Sequence, residues 1–583
     1  MYRIIAYVML FVVIVSCKNN DKKSSSGTAD SDYQTIADDF LKGYLDWRPQ
    51  SAINLGLHEY DGKLTDYSKA SLDNELKRLK DFEQKLAALD TTKLSSKMFY
   101  DYRILRSAIM NEILGFEGTR DFYNNPMEYA GAIDVNVYVK RNYAPLEDRL
   151  KSIIAAEAML PAIYEAAKQN LDESLPKPYI ETAIDIAGGN ASFMGGDLIV
   201  ALKDVKDDSL MAKFRRGNDA AIASINGFID WLKKDKMPKA NHNYAIGEEN
   251  YKKMLLYGED IVMSPEKILE TGLAELKKEQ DRFNEAAKII DPNKKPIDVY
   301  HEVQRDHPTA DSLIPEAKEH LEIIRQFLVD HQIVTIPSEV RVQVKETPQY
   351  ARSTSTASMD TPGPFEKSTE AYYYITPVDP KWTAKQKEDW LTQFDYFTTD
   401  NVTVHEAYPG HYTQFLHINA SDATRVQKIF GSYAFMEGWA HYCEKMMIDE
   451  GWGNTGDPVK AAKYRITQSG DALLRICRLC VSVKMHCQGM TLEEGTKFFM
   501  DNWYQGEKPS YQEALRGTFD PGYLFYTVGK LEIFKLREEY RQQEGSNFSL
   551  KRFHDQVLDH GMPPLRLIRE LLLKDKTKWD EIL

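Results

Sequence analysis

Residues 405–411 read His405-Glu406-Ala407-Tyr408-Pro409-Gly410-His411, and Glu437 follows in Phe435-Met436-Glu437-Gly438-Trp439-Ala440-His441-Tyr442. Hydrolytic zinc sites take three protein ligands and leave one coordination position open. Two imidazoles and a later helical carboxylate supply such a set, and a Glu beside the first His can accept a proton from water. Whether the two histidines can meet decides how the chain must fold here. In the common His-Glu-x-x-His arrangement they sit at i and i+4, about 40° apart around a helix. Here they sit at i and i+6, roughly 240° apart on an unbroken helix. The intervening residues favour a break. Pro409 has no N–H for the carbonyl of His405, and its ring clashes with that carbonyl. Gly410 accepts backbone angles that other residues resist. A two-residue bulge at Pro409-Gly410 is expected to return His411 to the face of His405.

The chain contains its own control. His301-Glu302-Val303-Gln304-Arg305-Asp306-His307 has the same spacing, but no Gly, no Pro before the second His and no Glu-Gly-Trp downstream. It reads as a charged helix end. Around Glu437, His441 at i+4 and Glu444 at i+7 share its helix face. Glu444 reads either as a carboxylate orienting a ligand His through its free N–H or as a surface residue. His441 is open between fourth ligand, partner of a ligand and transition-state donor.

His405-Glu406-x-x-Pro409-Gly410-His411, Glu437-Gly438-Trp439-Ala440 and Pro521-Gly522 with Tyr526 resemble the bacterial domain-of-unknown-function family 885. Asn125-Pro126, Pro145-Leu146 with Arg149, and Arg552-Phe553-His554-Asp555 extend the likeness over most of the chain. The resemblance implies a mainly α, large two-lobed metallopeptidase-like fold, similar more distantly to thimet oligopeptidase, neurolysin and angiotensin-converting enzyme. It implies zinc as cofactor, held by His405, His411 and Glu437, with Glu406 as general base. The tetrahedral oxyanion wants a donor besides the metal. The resemblance puts Tyr526 in that role, with Tyr523 second and His486 the remaining candidate. Arg516 and Glu513 are expected to orient this loop or bind a substrate carboxylate. Three positions depart from the family pattern: His441 stands where Leu is usual, Tyr523-Leu524 where Gln-Ala is usual, and Ser482-Val483-Lys484-Met485-His486 where Asp-x-Gly-x-His is usual.

The 583 residues suffice for a large core and more than one lobe. A net charge of −14 argues against nucleic acid as a partner. Arg3, the short apolar run 4–15 and Ile14-Val15-Ser16-Cys17 form an export signal. The ending resembles a lipobox, which implies cleavage after residue 16, lipid on Cys17 and membrane attachment through it. Residues 17–31 are expected to be a polar, flexible tether. Lys18, rather than Asp, points to the outer membrane of a bacterial cell envelope. Of the other cysteines, Cys443, Cys477, Cys480 and Cys487, the middle two lie in an apolar stretch and are expected in the core without a disulfide.

Residues 32–335 show helical periodicity and are expected to form an N-terminal lobe, with one long helix over 150–171 and loops at Gly188-Gly189, Gly195-Gly196 and Pro292. Residues 336–583 are expected to form the catalytic lobe. Within it, 340–345 and 371–376 read as two strands turned by Pro362-Gly363-Pro364, a small β-hairpin or sheet beside the active site. These strands either hold substrate backbone or cap the lobe. His417, His554 and His560 read as structural. Together these features predict an exported zinc metallopeptidase acting on short peptides. The alternatives are a zinc- or peptide-binding lipoprotein without turnover and a hydrolase of non-peptide amides.

Overall fold

The structure, a computed structural model, describes residues 26–348, 352 and 356–583. The export signal and Cys17 lie outside the described residues. Helix makes up 70% and strand 3%. None of the described helices is long and apolar enough to cross a membrane.

The first helix runs Ser26–Trp47, so residues 26–31 are helical and not part of a flexible tether. Tyr33, Ala37, Phe40, Leu41 and Leu45 are buried along one face. The Asp30 carboxylate accepts the Ser95 N–H at 2.8 Å, which fixes the first turn. The long helix expected over 150–171 is two helices, Leu146–Glu157 and Leu160–Asn170. Pro161 explains the division, since its ring fits only the first turn of a helix. Gly188-Gly189 goes the other way: helix Lys177–Gly195 runs straight through it. Buried Ile180, Ala183, Ala187 and Phe193 hold the opposite face, and packing overrides the weak propensity of glycine.

One three-stranded sheet is present among the described residues, in the order β1-β3-β2. Strand β1 is Gln343–Glu346, β2 is Ala357–Asp360 and β3 is Tyr372–Ile375. Strands β1 and β3 pair in parallel, with Val344 opposite Tyr373, and β2 pairs antiparallel to β3, with Met359 opposite Tyr373. Pro362-Gly363-Pro364 therefore turns the chain from β2 into β3, and β2 is an additional strand inserted, in chain order, between the two legible in the sequence. The loop is tied to the N-terminal helices. His58 meets Glu366 at 2.9 Å, and the Phe365 N–H donates to Leu55 O at 3.0 Å.

Helix Pro458–Gln488 is the spine of the catalytic half. Its Leu473, Ile476, Cys477, Leu479 and Cys480 share a core with Ile268, Leu269, Leu276 and Phe283 of helix Pro265–Ile290. Core packing thus joins helices from both sides of residue 335, where the sequence suggests a lobe boundary. Cys443, Cys477 and Cys480 are buried, Cys487 is half-buried, and all four are free thiols.

Candidate metal centre

The helix that carries His405 and Glu406 runs Tyr396–Glu406. Asp395 opens it by accepting the N–H groups of Phe397 and Thr398, both at 3.0 Å. A new helix, His411–Ala420, begins with the second histidine. The break is complete, rather than a bulge within one helix. The Tyr408-Pro409 peptide is cis. Gly410 N–H donates to Val404 O at 3.0 Å, and Trp439 Nε1–H donates to Pro409 O at 2.9 Å. A Cβ on Gly410 would stand 1.8 Å from the carbonyl oxygen of His405, so no other residue fits. The break does what the spacing requires: the His405 and His411 rings lie 4.9 Å apart and perpendicular.

Glu437 comes from helix Tyr433–Asp449. Ser432 caps this helix by accepting the Phe435 N–H at 2.9 Å, and buried Glu259 accepts the Ala434 N–H at 3.1 Å. The helix crosses Phe525–Glu544 backbone to backbone at Gly438 and Gly529. A Cβ on Gly529 would lie 1.8 Å from Ala434 O. That approach sets Tyr526 beside Tyr433, with ring centroids 5.8 Å apart.

His405, His411 and Glu437 are the one group of three His, Cys, Asp or Glu residues among the described residues whose ligand atoms converge, all within 4.8 Å of one another. Glu437 Oε2 is 3.5 Å from His405 Nε2 and 3.5 Å from His411 Nε2. It is buried and has no hydrogen-bond partner. Tetrahedral donors about 2.0–2.1 Å from a zinc ion stand roughly 3.4 Å from each other. The set therefore fits zinc in donor type, and the two separations from Glu437 match that figure. The three side chains remain 8%, 13% and 15% exposed for His405, His411 and Glu437. The centre thus opens to solvent.

Glu444 fixes the orientation of His405. Its Oε1 accepts His405 Nδ1–H at 2.8 Å, which turns Nε2 towards Glu437, where a bound cation would take the place of the Nε2 proton. Its Oε2 accepts His441 Nδ1–H at 3.0 Å. Arg475 Nη2 lies 3.3 Å from the same carboxylate. Burial alone would push the Glu444 carboxyl up, but Arg475 and the two imidazoles outweigh it and hold it well below the usual range. Burial likewise opposes ionisation of Glu437, and His405 and His411 outweigh it. Burial lowers the His405 pKa, yet Glu437 and Glu444 lift it to about 10. Burial first, then the charge of Lys530, takes His441 down to about 3, so it is a neutral partner of Glu444. The converging group of His405, His411 and Glu437 does not include it.

Glu406 is half-buried, and its carboxylate has no hydrogen bond or ion pair among the described residues. Strand β3 lies alongside: burial raises the phenol of Tyr373, and the Glu406 charge adds to the effect. Tyr526 is half-buried, and its hydroxyl has no partner among the described residues. Its ring is surrounded by Arg475 at 5.9 Å, Arg478 at 5.1 Å and Arg516 at 5.9 Å.

Two expected donors are not brought to the centre. Tyr523 is wholly buried, and its hydroxyl points at Gly517, where a Cβ would stand 2.2 Å away. His486 is buried with both ring nitrogens occupied: Nε2–H donates to Gly517 O at 2.8 Å, and Nδ1 accepts the Ile246 N–H at 3.3 Å. Arg516 stays close, pairing with Asp520 and donating to the Tyr433 hydroxyl at 3.1 Å. The control motif behaves as expected, with His301 exposed and His307 bound to Pro308 O and Glu388. His417 and His554 are bound at both ring nitrogens by structural partners. Arg475 and Arg478 were not singled out by the sequence. Their signal was available, because Ala472-Leu473-Leu474-Arg475-Ile476-Cys477-Arg478-Leu479-Cys480-Val481 places two charges inside an apolar run.

Fold and site together define a mainly helical protein with a His-His-Glu donor set at a helix break. The family described as bacterial protein of unknown function (DUF885) matches residues 49–572, and the chain belongs to it. It is similar to a candidate lipoprotein of unknown function from Shewanella oneidensis, at 26% identity and a TM-score of 0.77, over 93% of this chain and 100% of that one. A candidate lipoprotein from Colwellia psychrerythraea shares the fold at 18% identity and a TM-score of 0.77, over 96% of this chain and 99% of that one. No curated protein matches the chain.

Proposed function

We propose that this protein is a zinc-dependent hydrolase of peptide bonds in short peptides, exported and anchored to the outer membrane by lipid on Cys17. The observation that carries the reading is the orphaned Glu437 Oε2, buried and 3.5 Å from each of two imidazole Nε2 atoms. Buried polar atoms without partners are rare and call for an explanation. A cation held there satisfies all three donors at once. When bound by His405, His411 and Glu437, zinc polarises a carbonyl and lowers the pKa of water.

The remaining chemistry belongs to the chain. Glu406 follows His405 directly and has a free carboxylate, so it can take a proton from water and return it to the departing amine. The Tyr526 hydroxyl can donate to the oxygen on which charge develops. Glu444 and Arg475 hold His405 in place. The small exposure of the ligands favours a flexible chain threading inward over the surface of a folded protein. The lipobox-like Ile14-Val15-Ser16-Cys17 and the description of the Shewanella oneidensis relative support the anchor.

Glu406→Gln tests the reading. It removes a base but no ligand, so zinc content is expected to stay at the wild-type level. Hydrolysis of a mixed peptide pool, followed by product mass, is expected to fall about 10²- to 10⁴-fold. Cleavage by the variant at the wild-type rate would refute the mechanism.

A further inference from the structure

We infer, resting on the peptidase reading above, that Arg516 and Arg478 receive the free C-terminal carboxylate of the substrate, so that the protein removes short pieces from the C-terminal end of peptides. A guanidinium carries five N–H donors in a planar fork. Arg478 gives Nε and Nη2 to the two oxygens of Glu513, at 2.7 and 2.9 Å. Arg516 gives Nε to Asp520 at 2.9 Å, and its Nη2 lies 2.8 Å from the same carboxylate oxygen and 3.1 Å from the Tyr433 hydroxyl. In both residues the same nitrogen, Nη1, is engaged by no residue of this chain among the described residues. Each plane is thus fixed along one edge: Arg478 keeps Nη1–H and one Nη2–H open side by side, and Arg516 keeps its two Nη1 hydrogens. Both guanidinium groups lie against the Tyr526 ring, at 5.1 and 5.9 Å. The Arg516 side chain is one-third exposed (33%), so an incoming ligand can reach it.

A carboxylate is the ligand that such a pair fits, because two parallel N–H donors of Arg478 match its two oxygens and Arg516 can add an Nη1–H. Glu513 and Asp520 offset the charge of the pair but also hold the forks in position before anything binds. The placement sets the length of the released piece. Arg516 touches Tyr433, which precedes Glu437 by four residues on one helix, about 6 Å along its axis. An extended chain advances about 3.5 Å per residue. A carboxylate on Arg516 then leaves the bond at the metal centre about two residues upstream. On cleavage of that C–N bond, water gives its hydroxyl to the acyl carbon and a proton to the leaving amine.

The test separates binding from turnover. The full-length Glu406→Gln protein, loaded with zinc, is titrated by calorimetry with an N-acetylated hexapeptide carrying a free C-terminal carboxylate, and with the same peptide as its amide. The acid is expected to bind about 10- to 100-fold more tightly, the range for a hydrogen bond between charged groups. Adding Arg516→Gln is expected to erase most of that preference, and Arg516→Lys to restore part of it, since the charge returns without the fork. Zinc content and helicity of each variant establish that it is folded. Equal affinity for acid and amide, no binding of the acid, or a preference that survives both Arg516→Gln and Arg478→Gln would overturn the carboxylate site. A wild-type protein that cleaves neither peptide would instead overturn the peptidase reading, while the affinity comparison still decides the site.

Discussion

Gly410 shapes the centre without being a ligand. Its missing side chain lets the backbone fold back onto the carbonyl of His405, 1.8 Å from where a Cβ would stand. Gly410→Ala is expected to push the start of helix His411–Ala420 away and to cost at least the 1–3 kcal/mol or so usual for overpacking. It should also weaken metal binding by about tenfold or more, because a ligand moves. Gly188→Ala is the comparison: it lies inside a helix, with nothing within 4 Å of an added Cβ. There alanine is expected to be neutral or to stabilise by up to about 1 kcal/mol. Thermal melts with and without chelator distinguish the two, and a Gly410→Ala protein with wild-type melting and metal content would contradict this account. The need for a break was legible in Pro409-Gly410. The clash that makes glycine obligatory was not, since it depends on a carbonyl five residues back.

At the scale of elements, helix Leu146–Glu157 packs on Asp208–Trp231 with a carboxyl between them. Both oxygens of Glu157 are buried without a partner, and burial pushes its pKa up to about 8. The folded pKa lies above the unfolded value near 4.5. The stability tied to this group is therefore fully present below about pH 4.5 and is lost as pH rises through about 8. Glu157→Gln is expected to flatten that slope. The difference in melting temperature between variant and wild type should grow in favour of the variant from pH 5 to pH 8. A difference independent of pH would show that Glu157 is not held neutral. The same scale shows where sequence reading stops. The periodicity of Pro265–Ile290 was readable because its buried and exposed faces separate cleanly, whereas Tyr433–Asp449 is buried on nearly every side and was legible from its motif. Strand β2, Ala-Ser-Met-Asp, has no β pattern of its own and pairs because the edge of β3 is there to receive it. Tyr523 and His486 carried the right chemistry but face inward, which spacing alone does not reveal.

At the scale of the molecule, a −14 chain of mostly helix builds one centre in which four successive stretches of residues 396–488 meet. The candidate ligands come from Tyr396–Glu406, His411–Ala420 and Tyr433–Asp449, and the supporting arginine comes from Pro458–Gln488. The convergence of His405, His411 and Glu437 was legible from the motif, whereas Arg475 and the guanidinium groups around Tyr526 needed the three-dimensional packing. Whether this convergence holds a metal is the central claim. The direct measurement is elemental analysis of the full-length protein after dialysis against zinc and removal of the excess, alongside His411→Ala and His307→Ala. The account predicts about one zinc per chain in the wild type and in His307→Ala, and almost none in His411→Ala. Less than about a tenth of a zinc per chain in the wild type, or equal zinc in His411→Ala, would contradict it.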